Sequence, residues 1–122
     1  MIRAERLFAR AILLAPRNAA LRADLNQTMA GERMVQICNT EVMEQVANWQ
    51  DRYLPDFVVA YATDEIAITD NMVQVDGGAF RSYGAWYEIR YNCVFEAATG
   101  DIASFEFLVG QEIPRARWEA LA

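Results

Sequence analysis

The feature that most constrains this chain is the alternation of apolar and polar side chains over residues 86–96 (WYEIRYNCVFE), which is typical of a β-strand with one buried face. A tripeptide that ends in glycine lies on each side of it. Ser82-Tyr83-Gly84 and Ala98-Thr99-Gly100 both fit three-residue hairpin loops. These loops place the apolar residues of three neighbouring strands on one face, whereas a slip of one residue would send half of them to the other face. The sequence therefore predicts an antiparallel meander with one apolar side.

The predicted register assigns a set of residues to each face of the meander. The inner face consists of Val73, Val75, Ala79, Tyr87, Ile89, Tyr91, Cys93, Phe95, Phe105 and Phe107. Its pairs include Val73 with Cys93, Val75 with Tyr91, Gly77 with Ile89, Ala79 with Tyr87, Cys93 with Phe105, Tyr91 with Phe107, Ile89 with Val109 and Phe95 with Ala103. On the outer face the register places Phe80 opposite Trp86, and Asp76 and Leu108 on either side of Arg90.

A long amphipathic helix is predicted over residues 32–49. Its apolar positions, spaced by 3, 4, 4 and 3 residues, are Val35, Cys38, Val42, Val46 and Trp49. Pro55 cannot continue the helix, and the apolar stretch 57–62 that follows is typical of a strand covered on both faces. We expect the helix to cover the inner face of the meander.

The two ends of the chain are predicted to be helical. In the N-terminal segment 1–30, Leu7, Ala11 and Leu14 share one helix face, and Pro16 interrupts the chain. At the other end, Pro114 suits the first turn of a short helix that docks through Trp118 and Leu121.

The fold class expected from these elements is α+β. N-terminal helices and one long helix pack on an antiparallel meander of about four strands, and a short C-terminal helix closes the chain. We expect a single domain over residues 1–122, in which residues 1–30 form the helical N-terminal segment and residues 31–122 form the helix and sheet core.

The basic residues of the chain exclude several common mechanisms. All eleven are arginine, and histidine and lysine are absent. A histidine general base, a serine–histidine or cysteine–histidine nucleophile pair, a histidine metal ligand and a lysine Schiff base are therefore excluded. We assign no catalytic residue, metal or cofactor.

The net charge of −6 is unevenly distributed along the chain. Residues 1–33 contain six arginines and three acids, and residues 34–122 contain five arginines and fourteen acids. The acidic main body argues against nucleic acid as a partner, because phosphate binding depends on clustered cations. For the basic residues 1–22, a membrane-surface helix is the weakest of the functional hypotheses.

Both cysteines are predicted to face the layer between the helix and the sheet. Cys38 lies in the apolar stripe of the helix and Cys93 on the inner face of its strand, so a disulfide between them is the favoured interpretation. In the chain-entropy model such a bridge contributes about 4 kcal/mol. The alternative is two buried thiols in a cytoplasmic protein.

Four segments resemble one bacterial family, the domain of unknown function 930. They are residues 32–46 (ERMVQICNTEVMEQV), 54–62 (LPDFVVAYA), 77–93 (GGAFRSYGAWYEIRYNC) and 105–120 (FEFLVGQEIPRARWEA). The resemblance implies export, because many members carry a signal or membrane anchor ahead of the domain, and it supports a bridge between Cys38 and Cys93. It implies no activity, so no catalytic residue is carried over. The sequence starts at Met1 without such a segment, so we expect either a trimmed chain or a member that stays inside the cell.

The outer face supplies the main candidate site. Phe80, Trp86, Arg90, Asp76 and Leu108 form a candidate binding surface, since exposed aromatics beside a charged pair are typical of one. The favoured alternative is that the N-terminal helix pair covers this face, which makes Trp86 a core residue and Asp76–Arg90 a cross-strand pair. A second candidate is a buried ion pair between Glu41 and Arg81.

Two functions are compatible with this sequence. The leading hypothesis is a non-catalytic binding or assembly module of the bacterial cell envelope or periplasm, which binds a protein partner or a second copy of itself. The alternative is a small-molecule pocket between helix 32–49 and the curved sheet, with a small enzyme acting through Glu41, Tyr87 or Tyr91.

Overall fold

The computed structural model describes the backbone of residues 1–27 and 30–121, and all of their side chains except those of residues 25–27. The α-helices are α1 (Ala9–Leu14), α2 (Ala19–Gln27) and α3 (Ala30–Trp49), with 3₁₀ helices at Pro16–Asn18 and Arg115–Leu121. The strands are β1 (Ile2–Arg3), β2 (Pro55–Val59), β3 (Ala67–Ile68), β4 (Met72–Ser82), β5 (Ala85–Phe95) and β6 (Ile102–Glu112).

The strands form one antiparallel sheet in the order β1-β6-β5-β4-β2, and β3 pairs with β4. The α+β class is confirmed, and the four longer strands are the predicted meander. The two additional strands contain two residues each, too few for a periodic pattern to reveal. One of them corrects the prediction of an all-helical N-terminal segment, because Ile2 and Arg3 pair with Phe107 and Glu106 of β6.

The β4–β5 hairpin differs from its prediction at the turn. Ser82 pairs with Ala85 across a two-residue turn, and Tyr83 and Gly84 both have the positive φ that a type I′ turn requires. A β-bulge between Val75 and Gly78 then inserts one extra residue into β4.

The shorter turn and the bulge shift the register in opposite directions. Beyond the bulge they cancel, so the predicted pairs Val73–Cys93 and Val75–Tyr91 are confirmed. Between the bulge and the turn the prediction is wrong, because the true pairs are Gly78–Ile89 and Phe80–Tyr87. In this stretch of β4 each side chain therefore lies on the face opposite to the predicted one. Phe80 joins the inner core, and Ala79 joins a cluster on the outer face.

The β5–β6 hairpin follows its prediction between two irregularities, one between Tyr87 and Ile89 and the other after Val94. Ile89 pairs with Val109, Tyr91 with Phe107 and Cys93 with Phe105, as expected. Near the loop, an irregularity after Val94 pairs Phe95 with Ile102 rather than with Ala103.

Helix α3 covers the inner face of the sheet as predicted. Cys38, Val42 and Val46 are fully buried against it. The disulfide between Cys38 and Cys93 is confirmed, with Cα atoms 6.2 Å apart. It links the helix to the central strand β5 inside the core.

The C-terminal 3₁₀ helix, and not the N-terminal helix pair, covers part of the outer face. Trp118 and Leu121 pack there as predicted, with Ala79, Trp86 and Ile113. The Trp118 indole donates a 2.7 Å hydrogen bond to the Ile113 carbonyl, which closes the segment on itself. Helix α1 instead packs on α3. None of the helices in the described part of the chain is both long enough and apolar enough to cross a bilayer.

Candidate binding groove on the outer face

The structure separates the five residues predicted to form a binding surface. Phe80 is fully buried on the inner face, which corrects its placement, because the bulge reverses the parity of β4. Trp86 is on the outer face but only 5% exposed, under the C-terminal 3₁₀ helix and against the ring of Phe57. Asp76, Arg90 and Leu108 lie on the open part of the face. The cross-strand pair is present, with 3.5 Å between Arg90 Nη2 and Asp76 Oδ1.

The open residues border a groove of about 320 Å³, which we call the outer groove. The sheet contributes its floor, the β2–β3 loop one wall and the C-terminal segment the other. Its lining consists of Thr63, Asp76, Gly77, Gly78, Glu88, Arg90, Leu108, Gly110, Ile113 and Arg117.

Two glycines give the outer groove its shape. Gly77 sits in the bulge, where its carbonyl accepts a 2.9 Å hydrogen bond from the Thr63 amide. A Cβ at Gly77 would lie 2.6 Å from Thr63 Oγ1 and 2.7 Å from the Asp64 nitrogen, so only glycine lets the loop approach this closely. A Cβ at Gly110 would lie 2.7 Å from Glu88 Oε2, so this glycine leaves room for the Glu88 side chain on the floor.

The outer groove contains both signs of charge and one large apolar side chain. Asp76 and Arg90 neutralise each other, while Glu88 and Arg117 are exposed and make no ion pair with any residue that the structure describes. Leu108 is 42% exposed. Such a surface suits a peptide segment that supplies one apolar side chain and complementary charges.

An open strand edge runs beside the outer groove. Strand β1 pairs only with Glu106 and Phe107, so the stretch Leu108–Glu112 of β6 has no neighbour on its free side among the described strands. Four of these five residues are exposed. The backbone amides and carbonyls of an edge strand are able to pair with an added strand. Sequence patterning missed this feature because it depends on where β1 ends.

The predicted ion pair between Glu41 and Arg81 is wrong. Glu41 is fully buried, and its carboxylate accepts 2.9 Å hydrogen bonds from the Phe8 and Ala9 amides and a 2.7 Å bond from the Gln45 side chain. Arg81 faces outward with β2, where its Nε lies 2.9 Å from Asp56 Oδ1. The hydrogen bond from Arg81 lowers the pKa of Asp56.

The three side chains of the enzymatic alternative serve separate structural roles. Glu41 binds the start of α1, as described above. Tyr91 is fully buried, stacks on Phe105 and donates a 3.3 Å hydrogen bond to Asn39, and burial raises the pKa of its phenol. Tyr87 stacks on Phe80, and the pKa of its phenol is raised chiefly by burial.

The described residues also contain no cluster of three histidine, cysteine, aspartate or glutamate side chains suited to a metal ion.

Together these features define a class: α+β domains in which a disulfide ties one long helix to an antiparallel sheet with a partly open outer face. A family model described as Domain of Unknown Function (DUF930) matches residues 25–122. The chain belongs to this family, as its four motifs predicted. Comparisons with curated proteins and with solved structures find no significant match.

Proposed function

We propose that this protein is a non-catalytic binding module of the bacterial cell envelope, and that it binds an extended segment of a protein partner at the outer groove. The segment adds a strand to the free edge of β6 at Leu108–Glu112. The observation that carries this proposal is the position of that open edge directly beside a groove with exposed Leu108, Glu88 and Arg117.

Two kinds of contact support this mode of binding. Backbone pairing along a strand edge supplies affinity with little dependence on sequence, and alternate side chains of the added strand supply specificity in a neighbouring pocket. Here the pocket offers Leu108 for an apolar side chain, Glu88 for a cation and Arg117 for a carboxylate. The outer groove contains both positive and negative side chains, which favours a protein segment over a polyanion as its ligand.

The cell-envelope location rests on the disulfide. Buried disulfides persist in oxidising compartments and are rare in the cytoplasm, where thiols are kept reduced. We expect source cells that are acid-quenched and alkylated under denaturing conditions to yield protein with no alkylated cysteine. After reduction both Cys38 and Cys93 become reactive. Alkylation of both cysteines before reduction would instead support the cytoplasmic alternative.

Photo-crosslinking in the living source cells tests the binding site. With p-benzoylphenylalanine at Leu108, we expect one dominant adduct with a partner protein. The same group at Leu54 is the matched control, because Leu54 is 57% exposed and lies outside the outer groove. Absence of an adduct from position 108, or the same adduct from both positions, would refute the proposal.

Gly110→Ala adds a second test at the floor of the outer groove. The added methyl would lie 2.7 Å from Glu88 Oε2 and 2.9 Å from Glu88 Cβ, so the backbone must shift locally, and we expect the free energy of unfolding to fall by about 1–3 kcal/mol. The same methyl fills part of the outer groove. The yield of the adduct from position 108 should therefore fall severalfold, and an unchanged yield would place the partner elsewhere on the sheet.

A further inference from the structure

One apolar side of the segment Leu7–Leu14 is exposed to solvent. Leu7 and Leu14 are 38% and 53% exposed, and Ala11 between them is also exposed. Helix α1 contacts the rest of the protein through its other side, where Ala9 is buried. The side chains that would be expected to pack inward therefore form an outward stripe, which we call the Leu7–Leu14 face.

The sequence that forms this face is strongly basic. Residues 6–23 contain four arginines and no acid, whereas the rest of the chain contains seven arginines and seventeen acids. Within α1, Arg10 is four residues from Leu14, so the two lie on the same side of the helix, and Leu7 lies two residues before the helix begins. Arg6, Arg10 and Arg17 are exposed. Arg10 forms an ion pair with Asp101, but this pair is largely exposed and therefore weak.

The structure holds this face in a fixed orientation. The Glu41 carboxylate accepts hydrogen bonds from the first amides of α1, and the Gln45 side chain also donates to the Arg6 carbonyl. These contacts fasten the start of the helix to α3. A face presented in this way loses little conformational entropy on docking.

We propose that the Leu7–Leu14 face docks on the surface of an anionic lipid bilayer. The helix lies in the plane of the headgroups, its leucines enter the boundary of the acyl chains, and Arg6, Arg10 and Arg17 contact lipid phosphates. Guanidinium groups suit this role because they bind phosphate oxygens with two parallel hydrogen bonds. The acidic remainder of the protein is repelled by the same surface, which orients the sheet away from it.

A bilayer fits this face better than a second copy of the chain does. The acidic body of another copy would pair with the arginines, but covering the leucines would also require a complementary apolar surface. A bilayer accepts exposed leucines without a matching shape. This proposal is independent of the outer groove, so either one can fail without the other.

Co-sedimentation with vesicles tests the proposal on the intact protein. We expect binding to vesicles of phosphatidylglycerol and phosphatidylcholine but not of phosphatidylcholine alone. Binding should disappear when salt is raised from about 0.1 M to about 1 M, because the Debye length falls from ~10 Å to ~3 Å. Leu14→Ser should weaken partitioning about fivefold, and so should each of Arg10→Gln and Arg17→Gln.

Matched variants separate docking from non-specific adsorption. Leu54→Ser removes a leucine that is 57% exposed, against 53% for Leu14, and Arg115→Gln removes one exposed positive charge from the C-terminal 3₁₀ helix. Both should bind like the unaltered protein. Equal loss in these controls, binding to neutral vesicles, or no binding to anionic vesicles would overturn the proposal. So would salt-sensitive self-association without vesicles that depends on Leu14 and Arg17, because it would identify the face as an interface between copies.

Discussion

Replacing Cys38 and Cys93 together by alanine is expected to lower the free energy of unfolding by at least about 4 kcal/mol. The disulfide joins residues 55 apart in the sequence, and the chain-entropy model assigns a bridge across such a loop about 4 kcal/mol. The two alanines also leave unfilled space in the core, which adds a cavity cost. Urea denaturation monitored by tryptophan fluorescence measures the loss.

The wild-type protein with its disulfide reduced is the control for the destabilisation that the cavity adds. It has both sulfurs but lacks the bridge, so we expect it to lose about 4 kcal/mol and the alanine double variant to lose more. A small domain has a free energy of unfolding of only about 5–15 kcal/mol, so either form should retain only a small part of it. A reduced protein within about 1 kcal/mol of the oxidised one would contradict this account.

Glu41→Ala is expected to lower the free energy of unfolding by about 3–5 kcal/mol. The substitution removes the acceptor for three donors, the Phe8 and Ala9 amides and the Gln45 side chain. Each buried donor left without a partner costs about 1–3 kcal/mol. Helix α1 has no capping side chain of its own, so it should also lose its attachment to α3. Urea denaturation gives the energy, and amide hydrogen exchange at α1 reports the detachment.

Two variants separate the loss of the hydrogen-bond acceptor at Glu41 from the loss of its charge and from the general effect of removing a carboxylate from α3. Glu41→Gln keeps the shape and an acceptor oxygen, so its loss should be about 1–2 kcal/mol. Glu44→Ala removes a carboxylate from the same helix whose side chain makes no described hydrogen bond, and it should cost less than about 1 kcal/mol. If Glu41→Ala and Glu44→Ala were equally stable, the carboxylate of Glu41 would not be holding α1.

Glu41 shows what sequence reasoning finds and what it misses. The sequence predicted a buried carboxylate in need of a partner, and it assigned Arg81 to that role. The partners are backbone amides more than thirty positions away, at the start of α1. Every residue has a backbone amide, so no pattern of residue types identifies which amide will arrive there.

Strand β4 shows a second limit. Alternation fixed the face of Val73 and Val75, and the predicted pairs in that half were right. Alternation could not locate the one-residue bulge. The bulge changes which face the side chains occupy only between the bulge and the turn, because the shorter turn shifts the register by one residue in the opposite direction. Phe80 was therefore assigned to the outer face although the structure buries it completely.

The sequence by itself determined the α+β class, the covering helix, the inner face over most of its length, and the position of Cys38 and Cys93 in the layer between helix and sheet. These follow from periodicity, which is a local property repeated over many residues, so single errors average out. Only the tertiary structure decided the bulge at Gly77, the segment that covers Trp86, the partners of Glu41, the open edge of β6 and the exposure of Leu7 and Leu14. Each of these depends on how elements distant in the sequence meet in space, and local patterns contain no information about that meeting.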